Sequence, residues 1–126
     1  MQKVTGVGGV FIRARDPQAM KDWYEKHLGI PFGSQLYVAF PWVNEKGPEK
    51  PGSTVFSFFP QDTDYFQPSG SSFMINFRVQ DLDALLETLK QEGVSLIGEP
   101  MAESYGKFAW IMDPEGNKIE LWEPIE

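Results

Sequence analysis

The chain has 126 residues, a formal net charge of −7 at pH 7 and no cysteine. This length suits a single domain with its own hydrophobic core, and the lack of cysteine excludes disulfides, a thiol nucleophile and a thiolate metal site. The acidic balance argues against a nucleic-acid partner. No apolar run is long enough to span a bilayer, and the first residues lack the basic and apolar segments of a signal peptide. We therefore expect a cytoplasmic protein with neither nucleic acid nor a membrane as its partner.

The first half of the chain predicts a strand, a helix and two further strands. Residues 7–14 alternate as a strand, with Gly9, Phe11 and Arg13 on one face. Asp16 and Pro17 are typical of a helix start, and Gly29 of a helix end, which predicts a helix over residues 17–27. Residues 35–43 and 54–59 predict strands, and the polar segment 44–53 predicts the loop between them.

The second half repeats this order at a constant spacing. Residues 73–79 predict a strand, and Asp81 and Gly93 bound a helix over residues 82–92 whose apolar stripe is leucine. Asp81 lies 65 residues after Asp16, and Gly93 lies 64 residues after Gly29. This spacing predicts an α+β fold of two tandem βαβββ modules, about residues 4–60 and 72–124, joined by a connector. The two curved halves would form one domain over residues 1–126, an open barrel of mixed sheet with a central cleft.

The last predicted hairpin places one carboxylate inside the sheet. Asp113 to Gly116, DPEG, fits a type I turn. The strand over residues 118–122 then alternates, with Ile119 and Leu121 on one face and Lys118, Glu120 and Trp122 on the other. By its position alone, Glu120 is more often a solvated outer residue than a ligand.

These residues resemble a known family. The opening pattern runs from Asp16-Pro17 through Trp23-Tyr24 to Leu28-Gly29, and the ending is DPEGNKIEL over residues 113–121. Together they are similar to the vicinal oxygen chelate superfamily, which includes glyoxalase I, bleomycin-resistance proteins and extradiol dioxygenases. The resemblance implies the paired βαβββ fold and a homodimer, and it leaves lyase, isomerase, dioxygenase and drug-binding functions open.

The resemblance also implies a divalent metal held by side chains from four strands. Counting from the local motifs, the four positions hold Gly9, Phe56, Met74 and Glu120, of which only Glu120 can ligate a hard or borderline cation. The one histidine, His27, falls at the end of a helix, where the dipole favours it. We therefore expect no metal or other cofactor, with a divalent metal as the alternative. Glu120 would then either bind a cationic or hydrogen-bonding ligand group or be held by a salt bridge.

The remaining polar residues on the predicted cleft face each have two interpretations. Arg13 and Arg78 occupy equivalent positions and would clamp a carboxylate or phosphate, or else neutralise nearby acids or lie on the rim. Asn76 would anchor a ligand or bond to Arg78. No Ser-His-Asp set can be assembled, and the glycines before residue 10 do not join a strand to a helix as a phosphate loop does.

Aromatic residues make up 14% of the chain. This surplus fits either an aromatic-lined cavity or an aromatic core. The apolar candidates for the cleft walls are Phe11, Phe56, Phe58, Met74, Trp110 and Trp122.

The leading hypothesis is a metal-free protein of the bleomycin-resistance type that binds a planar, partly cationic organic molecule in an aromatic cleft. The alternative is a metal-dependent lyase, isomerase or dioxygenase that uses Glu120 as base or ligand. A third hypothesis is an interaction domain with a filled cavity. Whether any reaction is catalysed stays open at this point.

Overall fold

A computed structural model describes residues 3–42 and 52–125. The elements in chain order are β1 (Val4–Ala14), α1 (Pro17–Leu28), β2 (Tyr37–Pro41), β3 (Ser53–Pro60), β4 (Phe73–Val79), α2 (Leu82–Gln91), β5 (Met101–Glu103), β6 (Gly106–Met112) and β7 (Lys118–Pro124).

The seven strands form one mixed sheet in the order β2-β3-β1-β4-β7-β6-β5. The halves join where β1 runs antiparallel to β4, and within each half the first strand pairs in parallel with the last, β1 with β3 and β4 with β7. The predicted α+β fold with an open mixed sheet is confirmed. The first half differs in showing three strands among its described residues, where four were predicted. Most of the predicted loop at 44–53 lies outside the described residues, as does residue 43 of the strand predicted before it.

The two helices begin and end where their capping residues predict. The Asp16 side chain accepts a hydrogen bond from the Ala19 amide at 3.0 Å, and the Asp81 side chain accepts one from the Ala84 amide at 3.1 Å. Gly29 ends α1 in the left-handed conformation, with φ of 67°. Both predicted helices are confirmed to within one residue at each end.

The hydrophobic core of the second half lies between α2 and one face of the sheet. The leucine stripe of α2 packs there against the inward side chains of β4, β6 and β7, and the buried members are Val79, Leu82, Leu85, Leu86, Ala109 and Leu121. Ile119 packs against this cluster beside Leu121, so the predicted alternation of β7 is confirmed. Glu120 and Trp122 therefore point to the opposite, concave face. No helix among the described residues is both long and apolar enough to cross a membrane.

A tight turn fixes the register of the β6–β7 hairpin that carries Glu120. The Gly116 amide donates to the Asp113 carbonyl at 3.1 Å. The Asp113 carboxylate accepts hydrogen bonds from the backbone amides of Asn117 at 2.8 Å and Glu115 at 2.9 Å. These bonds, led by those from Asn117, hold the pKa of Asp113 below its ordinary value of 3.8.

We expect Asp113→Ala to destabilise the protein at pH 7, and to do so much less near pH 2. Because its pKa is lower in the folded chain, Asp113 stabilises the fold above its ordinary pKa, and this contribution is lost as the pH falls through the folded pKa. Urea unfolding at the two pH values measures it, with Glu115→Ala as the control in the same turn. An equal loss of unfolding free energy at both pH values would contradict a stabilising role for the Asp113 charge.

Candidate functional site

The concave face of the sheet holds a cleft of about 410 Å³. Its walls combine aromatic rings from both halves with a small number of polar groups. The lining residues are Gly8, Phe11, Val55, Phe59, Tyr65, Asn76, Met101, Glu103, Tyr105, Phe108, Trp110, Glu120 and Trp122. A cleft of this size falls in the range that small organic ligands occupy.

The floor of the cleft is built around the carboxylate of Glu120, which is 2% exposed. Strand pairing places Asn76 beside it on β4 and Trp110 beside it on β6. Asn76 Nδ2 donates to Oε1 at 2.6 Å, and Trp110 Nε1 donates to Oε2 at 2.8 Å. The Tyr65 hydroxyl donates a third hydrogen bond, to Oε2. Three neutral donors therefore hold one buried charge, which is how such a group is tolerated away from water.

Tyr65 reaches the floor from the connector between the two halves. Lys118 Nζ donates to the Tyr65 carbonyl at 2.6 Å, and the Tyr65 ring stacks on Phe59 with 5.7 Å between centroids and 7° between planes. The next residue, Phe66, is completely buried and anchors the segment. Burial, and then the charge of Glu120, raise the pKa of the Tyr65 hydroxyl. It therefore keeps its proton and remains a donor to Glu120.

Lys118 lies close to this floor. Its ammonium group lies 5.3 Å from the Tyr65 ring centroid and 5.5 Å from that of Trp110. Burial lowers the pKa of Lys118, and the charges of Glu120 and Asp64 oppose this. Among the described residues, no ion pair within 4.0 Å involves Glu120. The salt-bridge interpretation of Glu120 is therefore wrong, because neutral donors hold the carboxylate instead.

Five of the predicted site residues lie together on the cleft lining: Phe11, Asn76, Trp110, Glu120 and Trp122. Sequence reasoning missed Gly8, Val55, Phe59, Tyr65, Met101, Glu103, Tyr105 and Phe108. Val55 and Phe59 would have been predicted if the opposite face of their strand had been assigned to the cleft. Tyr65 gives no such signal, because its connector has neither strand nor helix periodicity.

Phe56 and Phe58, both predicted as cleft walls, face α1 instead. Their rings lie 5.5 and 5.3 Å from the ring of Tyr24, and both also contact Phe32. The β1–β3 register sets Ser57, not Phe56, beside Phe11. Because strand side chains alternate, a shift of one residue moves each side chain to the opposite face. The first-half counterpart of Glu120 is therefore Ser57.

Gly9 and Met74 also differ from their predicted places. A Cβ atom on Gly9 would lie 2.7 Å from the ring of Phe11, so Phe11 already fills the volume expected to be empty. Met74 pairs with Phe11 across the β1–β4 ladder, is 1% exposed and does not line the cleft. The β4 residue that pairs with Glu120 is Asn76, which lies two residues after Met74 on the same face of the strand.

Arg13 and Arg78 do not form the predicted clamp in the cleft. Arg13 Nη2 donates to the carbonyls of Ser71 at 2.7 Å and Gly70 at 3.1 Å, which ties β1 to the connector. The Arg78 guanidinium lies between two tryptophan rings, 5.2 Å from the centroids of Trp42 and Trp122. Neither arginine pairs with Asp16 or Asp81 within 4.0 Å. Asn76 bonds to Glu120 rather than to Arg78.

A sequence model described as Glyoxalase/Bleomycin resistance protein/Dioxygenase superfamily matches residues 6–121. The chain belongs to this superfamily. Its predicted membership is confirmed over almost the full length. A search of curated protein sequences gave no match.

Solved structures of the superfamily fold are similar over nearly the whole chain. The methylmalonyl-CoA epimerase from Mycobacterium tuberculosis is 25% identical, with a TM-score of 0.64, and the match covers 100% of this chain and 92% of that one. A Streptomyces coelicolor methylmalonyl-CoA epimerase variant in complex with 2-nitronate-propionyl-CoA is 18% identical, with a TM-score of 0.66 and coverage of 98% and 99%. A superfamily member from Vibrio splendidus is 14% identical, with a TM-score of 0.59 and coverage of 93% and 97%.

We expect Tyr65→Phe to lower the free energy of unfolding by about 1–3 kcal/mol, because it leaves a buried carboxylate with one donor fewer. Tyr37→Phe is the matched control, since Tyr37 is 51% exposed and its hydroxyl bonds to no described residue. Urea unfolding of both variants at pH 7 provides the measurement. Equal small losses in the two variants would show that the Tyr65 bond does not support Glu120.

Proposed function

We propose that this chain binds a planar, partly cationic organic molecule in the cleft, without the metal centre of the superfamily enzymes. The observation that carries the proposal is the chemistry of the lining. Of the thirteen described residues that line the cleft, seven are aromatic, two are carboxylates (Glu103 and Glu120), and none is lysine, arginine or histidine. Such a surface favours a flat cation and disfavours an anion.

The aromatic rings supply the binding surface for a flat molecule. Phe108 and Trp122 stack with 5.9 Å between centroids and 6° between planes, and Tyr65 and Phe59 form a second stacked pair. Both pairs contribute to the lining. Rings held against one another lose little side-chain entropy when a ligand binds, which favours affinity. A ligand ring would stack on these walls, with its positive charge near the carboxylates.

The donor set at the floor does not fit a metal centre of the superfamily type. Strand pairing sets Asn76, Gly9 and Val55 level with Glu120, and Phe11 and Ser57 two residues along. None of these is a carboxylate or an imidazole, and Asn76 turns its amide donor, not its oxygen, towards the carboxylate. Both Glu120 oxygens already accept hydrogen bonds. No group of three His, Cys, Asp or Glu side chains converges among the residues that the structure describes. The proposed binding therefore involves no metal.

The same lining argues against the substrates named for the similar structures. A coenzyme A thioester carries several negative phosphates, and methylmalonyl-CoA adds a carboxylate. Anions of this kind are bound by arginine, lysine, metal ions or helix N-termini. No basic side chain lines this cleft in the part of the chain that the structure describes, and Arg78 is held between two tryptophans. The lining therefore favours the binding protein over the metal-dependent enzyme, and the cleft volume favours it over a domain with a filled cavity. The homodimer stays a prediction.

Two naphthalene compounds of opposite charge test this proposal. We expect 1-naphthylmethylamine, a cation at pH 7, to bind at least about tenfold more tightly than 1-naphthaleneacetate, because the described lining carries two carboxylates and no basic side chain. Isothermal titration calorimetry in the presence of EDTA measures both affinities without a metal. Glu120→Gln should narrow the ratio of the two affinities and leave the fold intact. Tyr65 and Trp110 can still donate to the remaining oxygen, and the Asn76 amide can turn so that its own oxygen accepts from the new amide nitrogen.

Glu87→Gln is the matched control, because Glu87 is exposed on α2 and far from the cleft lining. It should leave the ratio unchanged. Equal binding of the two compounds, or tighter binding of the acid, would overturn the proposal. If the compounds bind without EDTA and fail to bind with it, the metal-dependent enzyme would be the better hypothesis.

A further inference from the structure

The orientation of the Asn76 side chain is fixed by its neighbour. Asn76 is 2% exposed, and its Nδ2 donates to Glu120 Oε1 at 2.6 Å. Only the nitrogen of an amide can donate a hydrogen bond to a carboxylate. The opposite orientation would set the Asn76 oxygen against a negatively charged oxygen. Glu120 therefore decides which way the amide points.

The fixed amide leaves its oxygen without a partner. Asn76 Oδ1 is buried and accepts no hydrogen bond from any described residue. Leaving a buried polar atom unpaired costs about 1–3 kcal/mol, and most buried polar atoms in proteins do have a partner. Asn76 itself lines the cleft. The unpaired acceptor thus belongs to a residue on the floor of the cleft.

The residue that lies against this oxygen is a glycine, so no side chain covers it from that direction. The β1–β4 ladder is irregular between Val7 and Gly9, and Gly8 at this irregularity lines the cleft beside Asn76. A Cβ atom on Gly8 would overlap Asn76 Oδ1 and would also lie 3.1 Å from the Trp122 ring. Any side chain here would therefore cover the acceptor. Glycine at this position is required for the oxygen to meet a ligand.

We infer that the cleft selects flat aromatic molecules that carry one N–H or O–H donor, and that Asn76 Oδ1 accepts this hydrogen bond. The inference rests on the proposed function and narrows its ligand class. A ring stacks on the aromatic walls, and its donor, neutral or on a cationic nitrogen, reaches the floor. Glu120 acts as a positioning residue, because its charge holds the amide in the accepting orientation. Molecules with an acceptor or a carbon atom at that place leave Oδ1 unpaired.

Isosteric probe pairs that differ in one donor test the inference. The probes are indole against benzothiophene, and 2-naphthol against 2-fluoronaphthalene, with affinities measured by calorimetry at pH 7. A site with a buried polar group rejects an analogue that cannot pair with it. We expect the donor-bearing member of at least one pair to bind about tenfold or more tightly.

Two variants assign the preference to Asn76. Asn76→Leu removes the acceptor and should reduce the affinity ratio to about one. Gly8→Ala keeps both Asn76 and Glu120 in the sequence but sets a methyl group against Oδ1, which is then covered or displaced. It therefore tests the inference even if Asn76→Leu does not fold. Gly70→Ala is the control for the glycine change, because a Cβ atom at Gly70 would meet no other atom within 4 Å and its φ is not positive. It should keep the wild-type ratio.

The outcomes separate this inference from the proposal on which it rests. A donor preference that Gly8→Ala and Asn76→Leu both remove supports the inference. Equal affinities within both pairs would overturn it and leave the aromatic binding cleft standing. A preference that survives both variants would also overturn it, because the donor would then be met elsewhere. If neither these probes nor 1-naphthylmethylamine bind, the proposed function fails, and the inference fails with it.

Discussion

A carboxylate that is 2% exposed must be compensated by its surroundings, and the cleft of this protein is arranged around that requirement. Glu120 meets it with three neutral donors drawn from three separate parts of the chain: Tyr65 in the connector, Asn76 on β4 and Trp110 on β6. Each donor is thereby fixed in place. The proposed preference for cations and for hydrogen-bond donors rests on this combination of a carboxylate with an aromatic cleft.

The same interaction links the two halves of the molecule at the cleft. The connector that carries Tyr65 is held at one end by Arg13, which donates to Gly70 and Ser71, and at the other by Lys118, which donates to the Tyr65 carbonyl. Its stacked partner, Phe59, belongs to the first half of the chain, whereas Glu120 belongs to the second. The floor of the cleft is therefore also a junction between the two halves, and the proposed binding site and the stability of the fold share the same few hydrogen bonds.

The sequence predicted those features that follow from local rules. The caps at Asp16 and Asp81 set the helices, and strict alternation in β7 placed Glu120 on the concave face. Alternation failed in β3, because phenylalanine at positions 56, 58 and 59 makes both faces apolar, and only the pairing register shows which face meets α1. Tyr65 could not be predicted, since a connector without periodicity gives no direction to its side chains. The predicted hydrogen bond between Asn76 and Arg78 was wrong for a related reason. The partner of Asn76 depends on which strand lies beside β4, and that strand carries Glu120.

The central claim is that the carboxylate oxygens of Glu120 accept hydrogen bonds from side-chain donors and do not bind a metal. The most direct test is a crystal structure of the protein grown with millimolar Zn²⁺, with anomalous data collected at the zinc edge. The account predicts no anomalous peak at Glu120 and the Tyr65 hydroxyl within hydrogen-bond distance of its carboxylate. A peak within about 2.2 Å of a Glu120 oxygen, with Tyr65 displaced, would contradict it.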